Sequence, residues 1–175
     1  VLMYKNMSGK RNFNNYDLDA AYVEIANGNR SLAADLGRKY YRIGSGIVLD
    51  GRGDGAGMRF VNRIVDIEFI GLYTGLLKKD NNPYGLSARD NADGAKRGFG
   101  VLNLSKDIGN QHVYAFGMMQ YDMAKESSTA KSRYQSQYFG FGFKGVPTDS
   151  IDFLVEGIYE MGKSYQEGLG EVQEM

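Results

Sequence analysis

Segments of about ten residues with alternating polarity constrain this chain more than any other feature. The clearest pair spans residues 138–162. In its first half, Phe139, Phe141 and Phe143 share one parity, while glycines and a lysine occupy the other. After a turn at 146–150, apolar and acidic residues alternate again. Because strand side chains alternate between the two faces of a sheet, the pattern predicts two antiparallel β-strands that share an apolar face.

The same alternation predicts an all-β fold along the rest of the chain. We expect strands near 17–26, 32–43, 56–63, 65–77, 97–107, 112–123, 136–145 and 151–161. The predicted connections at 27–31, 63–65, 108–111 and 146–150 are tight, and those at 44–55, 78–96 and 124–135 are long and polar. Outer-membrane barrels have short turns at their periplasmic end and long loops outside. The sequence therefore predicts a transmembrane antiparallel up-and-down β-barrel of about eight strands.

Composition narrows the possible protein classes. The 175 residues show no compositional shift, which predicts a single domain over 1–175. The chain has no run of 18 apolar residues and therefore no predicted transmembrane helix. Its 21 acidic and 21 basic residues balance, so no global field favours nucleic acid as a partner. The absence of cysteine is compatible with an oxidising periplasm.

The direction of the predicted strands indicates whether the chain is expected to form a whole barrel. With the tight turns in the periplasm, strand 17–26 begins outside and strand 151–161 ends outside, whereas complete bacterial barrels generally keep both termini in the periplasm. We therefore expect part of a larger barrel of about 16–18 strands, incomplete at both ends.

Strand parity separates the side chains expected to face lipid from those expected to line a pore, because Lys or Arg facing lipid costs about 2–4 kcal/mol at mid-bilayer. The residues predicted to face lipid are Phe69, Val113, Met119, Phe139, Phe141, Phe143, Phe153 and Val155. The residues predicted to line the pore are Arg38, Arg42, Arg59, Arg63, Asp66, Glu68, His112, Gln120, Asp122, Lys144, Glu156 and Glu160. The arginines would form a basic ladder that guides an anion. Alternatively, these charges pair with one another and keep the lumen wet.

The strand at 32–43 leaves its own parity open. Leu32 and Leu36 share the parity of Arg38 and Arg42, so the arginines would point at lipid if the alternation is regular. A β-bulge at Gly37 would return them to the lumen, since glycine commonly marks such sites. Both alternatives stand at this point.

Three segments resemble the alginate-export-type outer-membrane porins. Residues 36–51, with Gly-Arg-Lys and Gly-Ser-Gly, are similar to the Gly-Arg-Gln strand and Gly-x-Gly loop of that family. Residues 155–162 resemble its Glu-Gly-x-Tyr-x-x-Gly strand, and residues 19–24 resemble the strand before the Gly-Arg-Gln element. The pieces occur in family order and span most of the chain. Lys39 stands where the family commonly has Gln, and the chain contains no tryptophan.

The resemblance implies a barrel of about eighteen strands, of which this chain supplies eight. It also implies a lumen lined by arginines and acidic residues, and a charged or polar solute.

Other motifs point away from catalysis. The run Asp50–Gly55 is expected to be a tight extracellular loop, with a weak alternative of calcium binding at Asp50 and Asp54. The chain has one histidine, His112, no cysteine and no Gly-x-Ser-x-Gly element, so neither a thiol nucleophile nor a multi-histidine metal site is available within it. We expect no enzyme and no cofactor.

The function expected from these features is passive passage of small polar or anionic solutes, including saccharides or uronates, through a porin of the bacterial outer membrane, with lipid as its surroundings. One alternative is a small closed outer-membrane barrel with an adhesion or structural role, which requires periplasmic termini and a packed interior. The other is a soluble lipocalin-like barrel, which requires the aromatic face inside and the charged face outside.

Overall fold

The computed structural model describes residues 20–74, 96–123, 134–148, 151–165 and 172–174. Its strands are β1 (Ala21–Ala26), β2 (Leu32–Ile43), β3 (Leu49–Phe60), β4 (Asp66–Thr74), β5 (Arg97–Ile108), β6 (Gln111–Asp122), β7 (Tyr134–Thr148), β8 (Ile151–Tyr165) and β9 (Val172–Glu174). Each strand pairs antiparallel with the next one in sequence, in a single sheet ordered β1 to β9. The predicted all-β antiparallel up-and-down topology is therefore confirmed.

Helices are absent from these ranges. None of the described residues therefore belongs to a helix with the length and hydrophobicity needed to cross a bilayer. The predicted long connections at 78–96 and 124–135 lie almost wholly outside the described residues.

The connection between β2 and β3 differs from the prediction. A long loop was expected at 44–55, whereas the turn occupies only 44–48 and the run Asp50–Gly55 lies within β3. Glycine is depleted in strands, so its density here favours a loop. The structure gives the reason for the strand, because a Cβ at Gly53 or Gly55 would overlap Leu72 of β4. Tertiary crowding, rather than local propensity, accounts for glycine in this strand.

Strand β9 was not predicted. Val172–Glu174 pairs with the last residues of β8, and β8 itself extends to Tyr165 rather than ending near 161. The tail was expected to lack a final strand, because it does not end in the aromatic residue that usually closes such barrels. Pairing with the exposed edge of β8 supplies the backbone hydrogen bonds that such a short strand needs.

The sheet curls so strongly that one face becomes an interior. The backbone N–H of Ser45, in the β2–β3 turn, donates to Oε2 of Glu156 in β8 at 2.8 Å. In a flat sheet, β3 and β8 would be five strand spacings apart, roughly 24 Å. We therefore call the face that carries Tyr41, Phe116 and Glu156 the concave face, and the opposite one the convex face.

Apolar side chains fill much of the concave face. The buried cluster draws on every strand from β2 to β7: Tyr41, Ile43, Val48, Leu49, Ile70, Leu72, Phe99, Val101, Tyr114, Phe116, Met118 and Tyr138. Ile158 of β8 packs against it. Burial of this apolar surface is the main stabilising contribution that the described residues provide.

The sheet is open at its edges. Among the described strands, β1 pairs only with β2, and β9 only with β8. All six residues of β1 are exposed. An edge strand of this kind presents a row of backbone donors and acceptors available to another strand.

Candidate functional site: the two faces of the curled sheet

The convex face carries all eight residues predicted to face lipid. The ladders align them with one another, as in the pairs Val113 with Phe143 and Phe143 with Val155. Most of these side chains are well exposed; Phe141, for example, is 56% exposed. Further apolar residues share this face and extend it across the sheet: Leu32, Leu36, Met58, Phe60, Leu102 and Leu104. The result is an apolar surface that extends from β4 to β8 and onto the adjoining ends of β2 and β3, while the rest of the β2–β3 hairpin carries Arg38, Arg42, Asp50, Arg52 and Asp54 on this face.

The concave face carries nine of the residues predicted to line a pore. By ladder register these are Arg59, Asp66, Glu68, His112, Gln120, Asp122, Lys144, Glu156 and Glu160. Arg63 lies in the turn between β3 and β4. Arg38 and Arg42 lie on the convex face, so the structure does not bring the four arginines together as a ladder.

The unbroken pairing of β2 with β3 shows on which face each side chain of β2 lies. The β2–β3 ladder runs without interruption from Leu32 to Ile43, so there is no bulge at Gly37. Gly37 has a φ of 132°, and a Cβ there would overlap the backbone of Ala21 and Tyr22 in β1. Its glycine permits close approach of the neighbouring strand rather than a shift of register.

Arg38 and Arg42, on the convex face, form cross-strand ion pairs. Arg38 Nη1 lies 2.6 Å from Asp54 Oδ2, and Arg42 Nη2 lies 2.8 Å from Asp50 Oδ2. Both aspartates of the suggested calcium site therefore bind guanidinium groups. Within the ranges that the structure covers, no group of three His, Cys, Asp or Glu residues is arranged to hold a metal ion.

Charges on the concave face also pair locally. Lys39 Nζ lies 2.6 Å from Asp35 Oδ1 and 5.0 Å from the centroid of the Tyr41 ring. Glu68 accepts a hydrogen bond of 3.4 Å from the Asn103 side-chain amide. Lys39 thus contributes a cation to the concave wall through an ion pair and a cation–π contact.

Glu156, on the concave face, accepts three hydrogen bonds. Its Oε2 accepts hydrogen bonds from the Ser45 backbone N–H at 2.8 Å and from the Tyr114 hydroxyl at 2.7 Å. Its Oε1 accepts a hydrogen bond from Ser45 Oγ. The carboxylate therefore links the β2–β3 turn to β6 and β8.

An open cleft of about 660 Å³ lies beside the β5–β6 turn, at the end of the sheet, and is lined by residues of both faces. Asn110, Lys144, Asp152 and Phe153 are among its lining residues. At its rim, His112 Nδ1 lies 2.6 Å from Asp107 Oδ1. The cleft thus combines cationic, anionic and aromatic groups at this end of the sheet.

Sequence reasoning missed the role of Ser45 and the concave pair Asp35–Lys39. Ser45 was predicted to be a loop residue, which it is, but its contact with Glu156 spans 111 residues of sequence. A Gly-Ser-Gly turn signals a tight reversal and gives no information about what the serine contacts. A regular alternation along β2, without the bulge suggested at Gly37, places Asp35 and Lys39 on one face of the sheet and Arg38 on the other.

Comparisons with family models, curated proteins and solved structures gave no match. The resemblance to alginate-export porins therefore remains a prediction from three short segments.

Proposed function

We propose that this chain forms part of the wall of an outer-membrane β-barrel channel that conducts small polar or anionic solutes. The observation that carries the proposal is the polarity of the two faces. Exposed aromatic and aliphatic side chains occupy the convex face from β4 to β8 and the adjoining ends of β2 and β3, whereas most of the ionisable residues outside the β2–β3 hairpin lie on the concave face. Soluble monomers rarely expose a contiguous apolar patch beyond a few hundred Å², so hydrocarbon is the natural surroundings of such a face.

The same polarity argues against the soluble lipocalin-like alternative. That barrel would bury its aromatic residues inside and expose charge outside. Phe139 and Phe141 instead protrude from the convex face. On the concave face, Glu68, Lys144 and Glu160 accompany the apolar cluster.

The open edge of β1 supports a barrel with more strands than those described. Val23 and Ile25 of β1 continue the apolar convex face and are 64% and 72% exposed. Within a bilayer, unpaired backbone groups at a sheet edge cost several kcal/mol each, so spanning sheets close. We propose that additional strands pair with this edge.

A small closed barrel with an adhesion or structural role is the second candidate, and one observation favours it. The buried cluster from Tyr41 to Tyr138 fills the concave side with side chains. Barrels of about eight strands have interiors filled in this way. Such a barrel would insert into membranes without conducting.

Planar-bilayer recording on the full-length protein separates the candidates. Stable single-channel openings, with a reversal potential in a salt gradient, are the result expected for a channel. Insertion into lipid vesicles without conductance would favour the structural barrel. A monodisperse protein that stays in solution without detergent would overturn both membrane candidates.

A further inference from the structure

The β2–β3 turn, residues 44–48, folds onto the concave face instead of extending beyond the strands. Ile43 and Val48 at its base are both buried in the apolar cluster, at 2% and 6% exposure. Its Ser45 is the residue that binds Glu156 across the sheet. The turn therefore lies within the space that the curled sheet encloses.

The turn fits closely against the opposite wall. Gly44 has a φ of 58°, and a Cβ there would overlap the Glu156 carboxylate and the Phe116 ring. A side chain at this position would push the turn away from β6 and β8. Glycine is thus required both for the left-handed backbone and for the close approach.

Glu156 supplies the acceptors that hold the turn there. An ionised carboxylate offers two oxygens with about four acceptor positions, and three of them are used by Ser45 and Tyr114. Hydrogen bonds to a charged acceptor are roughly twice as strong as neutral ones. Because Tyr114 belongs to the wall and Ser45 to the turn, the carboxylate joins a wall strand to the inward-folded turn.

We propose that the β2–β3 turn is a constriction of the lumen and that Glu156 is the positioning residue that holds it inward. This inference rests on the proposed channel function. Loss of the Glu156 carboxylate frees the turn to move away from β8, which widens the passage between the β2–β3 hairpin and the opposite wall.

Thiol labelling tests the position of the turn without relying on conductance. The chain has no cysteine, so Val48→Cys introduces a single buried reporter. We expect a polar maleimide to label this cysteine about tenfold faster when Glu156→Ala is added, as expected for loss of hydrogen bonds to a charged group. Glu156→Gln, which keeps one acceptor oxygen, should give an intermediate rate.

Tyr159→Phe is the matched control. Tyr159 lies on the same strand, three residues from Glu156, but its side chain is on the convex face and 63% exposed, so the substitution should leave the labelling rate unchanged. If Glu156→Ala does not fold, as judged by β-sheet circular dichroism, Ser45→Ala is used, since it removes one donor and keeps the backbone hydrogen bond. Equal labelling rates in the folded Glu156 or Ser45 variants and in the Tyr159 control would overturn the inference.

Conductance is the second readout. We expect Glu156→Ala to raise the single-channel conductance and Tyr159→Phe to leave it unchanged. Unchanged conductance in a folded Glu156→Ala channel would overturn the constriction role. Faster labelling in a protein that never conducts would uphold the positioning role of Glu156 and count against the channel function.

Discussion

The Arg38 guanidinium forms an ion pair with Asp54 across the β2–β3 ladder while being only 3% exposed. The neighbouring pair of Arg42 and Asp50 lies on the same face and the same ladder, with the Arg42 side chain 61% exposed. The two pairs differ in burial and in geometry, since Arg42 reaches Asp50 Oδ2 through both Nε and Nη2 whereas Arg38 reaches Asp54 through Nη1. A buried and an exposed ion pair can therefore be compared within one hairpin.

Replacing Arg38 by alanine is expected to lower the free energy of unfolding by about 3 kcal/mol, because the partner carboxylate then loses a buried counter-charge. Arg42→Ala should cost less than about 1 kcal/mol, as for an exposed pair. Urea unfolding in detergent, followed by circular dichroism, gives both values. Equal losses would show that burial does not set the strength of these pairs.

Gly142→Ala is expected to destabilise the protein by about 1–3 kcal/mol, because the new Cβ would overlap the Tyr114 ring in a packed interior. Gly157 is the matched control on the neighbouring strand, since a Cβ there meets no atom within 4 Å. Gly157→Ala should be neutral or slightly stabilising. The same urea unfolding assay measures both free energies of unfolding. An unchanged value for Gly142→Ala would mean that the Tyr114 ring moves aside without cost.

Leu102→Lys tests the surroundings of the convex face. Leu102 lies between Phe69 and Gly117 in the ladders. If the face contacts hydrocarbon, lysine should cost about 2–4 kcal/mol of folding free energy in lipid vesicles. Ser105→Lys on the concave side, beside Asp66 in the ladder, should cost much less. In water, by contrast, a surface change such as Leu102→Lys stays within about 0.5 kcal/mol, so a small effect would argue for a soluble sheet.

Neutralising Arg59 is expected to shift the reversal potential of the channel toward cation preference. Arg59 is exposed on the concave face beside Glu68, so removing its charge leaves the carboxylates to dominate locally. Arg42→Gln, on the convex face, should leave the reversal potential unchanged. The salt-gradient recording checks both variants. A shift for Arg42→Gln alone would invert the assignment of the two faces.

Local alternation was sufficient to predict most strands. The bounds of β2 match the prediction, β5 differs from it by one residue at its end and β6 by one residue at each end, because the Gly109–Asn110 turn marks the hairpin clearly. Strand β3 could not be placed correctly, because Gly53 and Gly55 are accommodated by close contact with Leu72 on another strand. Propensity describes a residue in isolation, whereas this crowding exists only after the sheet has formed.

Sequence alternation predicted which face of the sheet most site residues occupy, but not which residues contact one another. Parity placed Glu156 and Lys144 on the side opposite Phe141, in agreement with the ladders. Neither parity nor turn chemistry encodes how tightly a sheet curls, and the contact of Ser45 with Glu156 depends on that curvature. For β2, the regular alternation was the correct choice, since the register passes through Gly37 without a bulge.

A sheet in which every described strand pairs with its neighbour in sequence has a consequence for the order of folding. Pairing between strands adjacent in sequence closes far shorter loops than a contact across the curled sheet, and such local contacts form faster. The hydrogen bonds between Ser45 and Glu156 close a loop of 111 residues and require all the intervening ladders to be in register. They are therefore expected to form last, so protection of the Ser45 amide from hydrogen exchange should appear after protection of the hairpins and mark the end of folding.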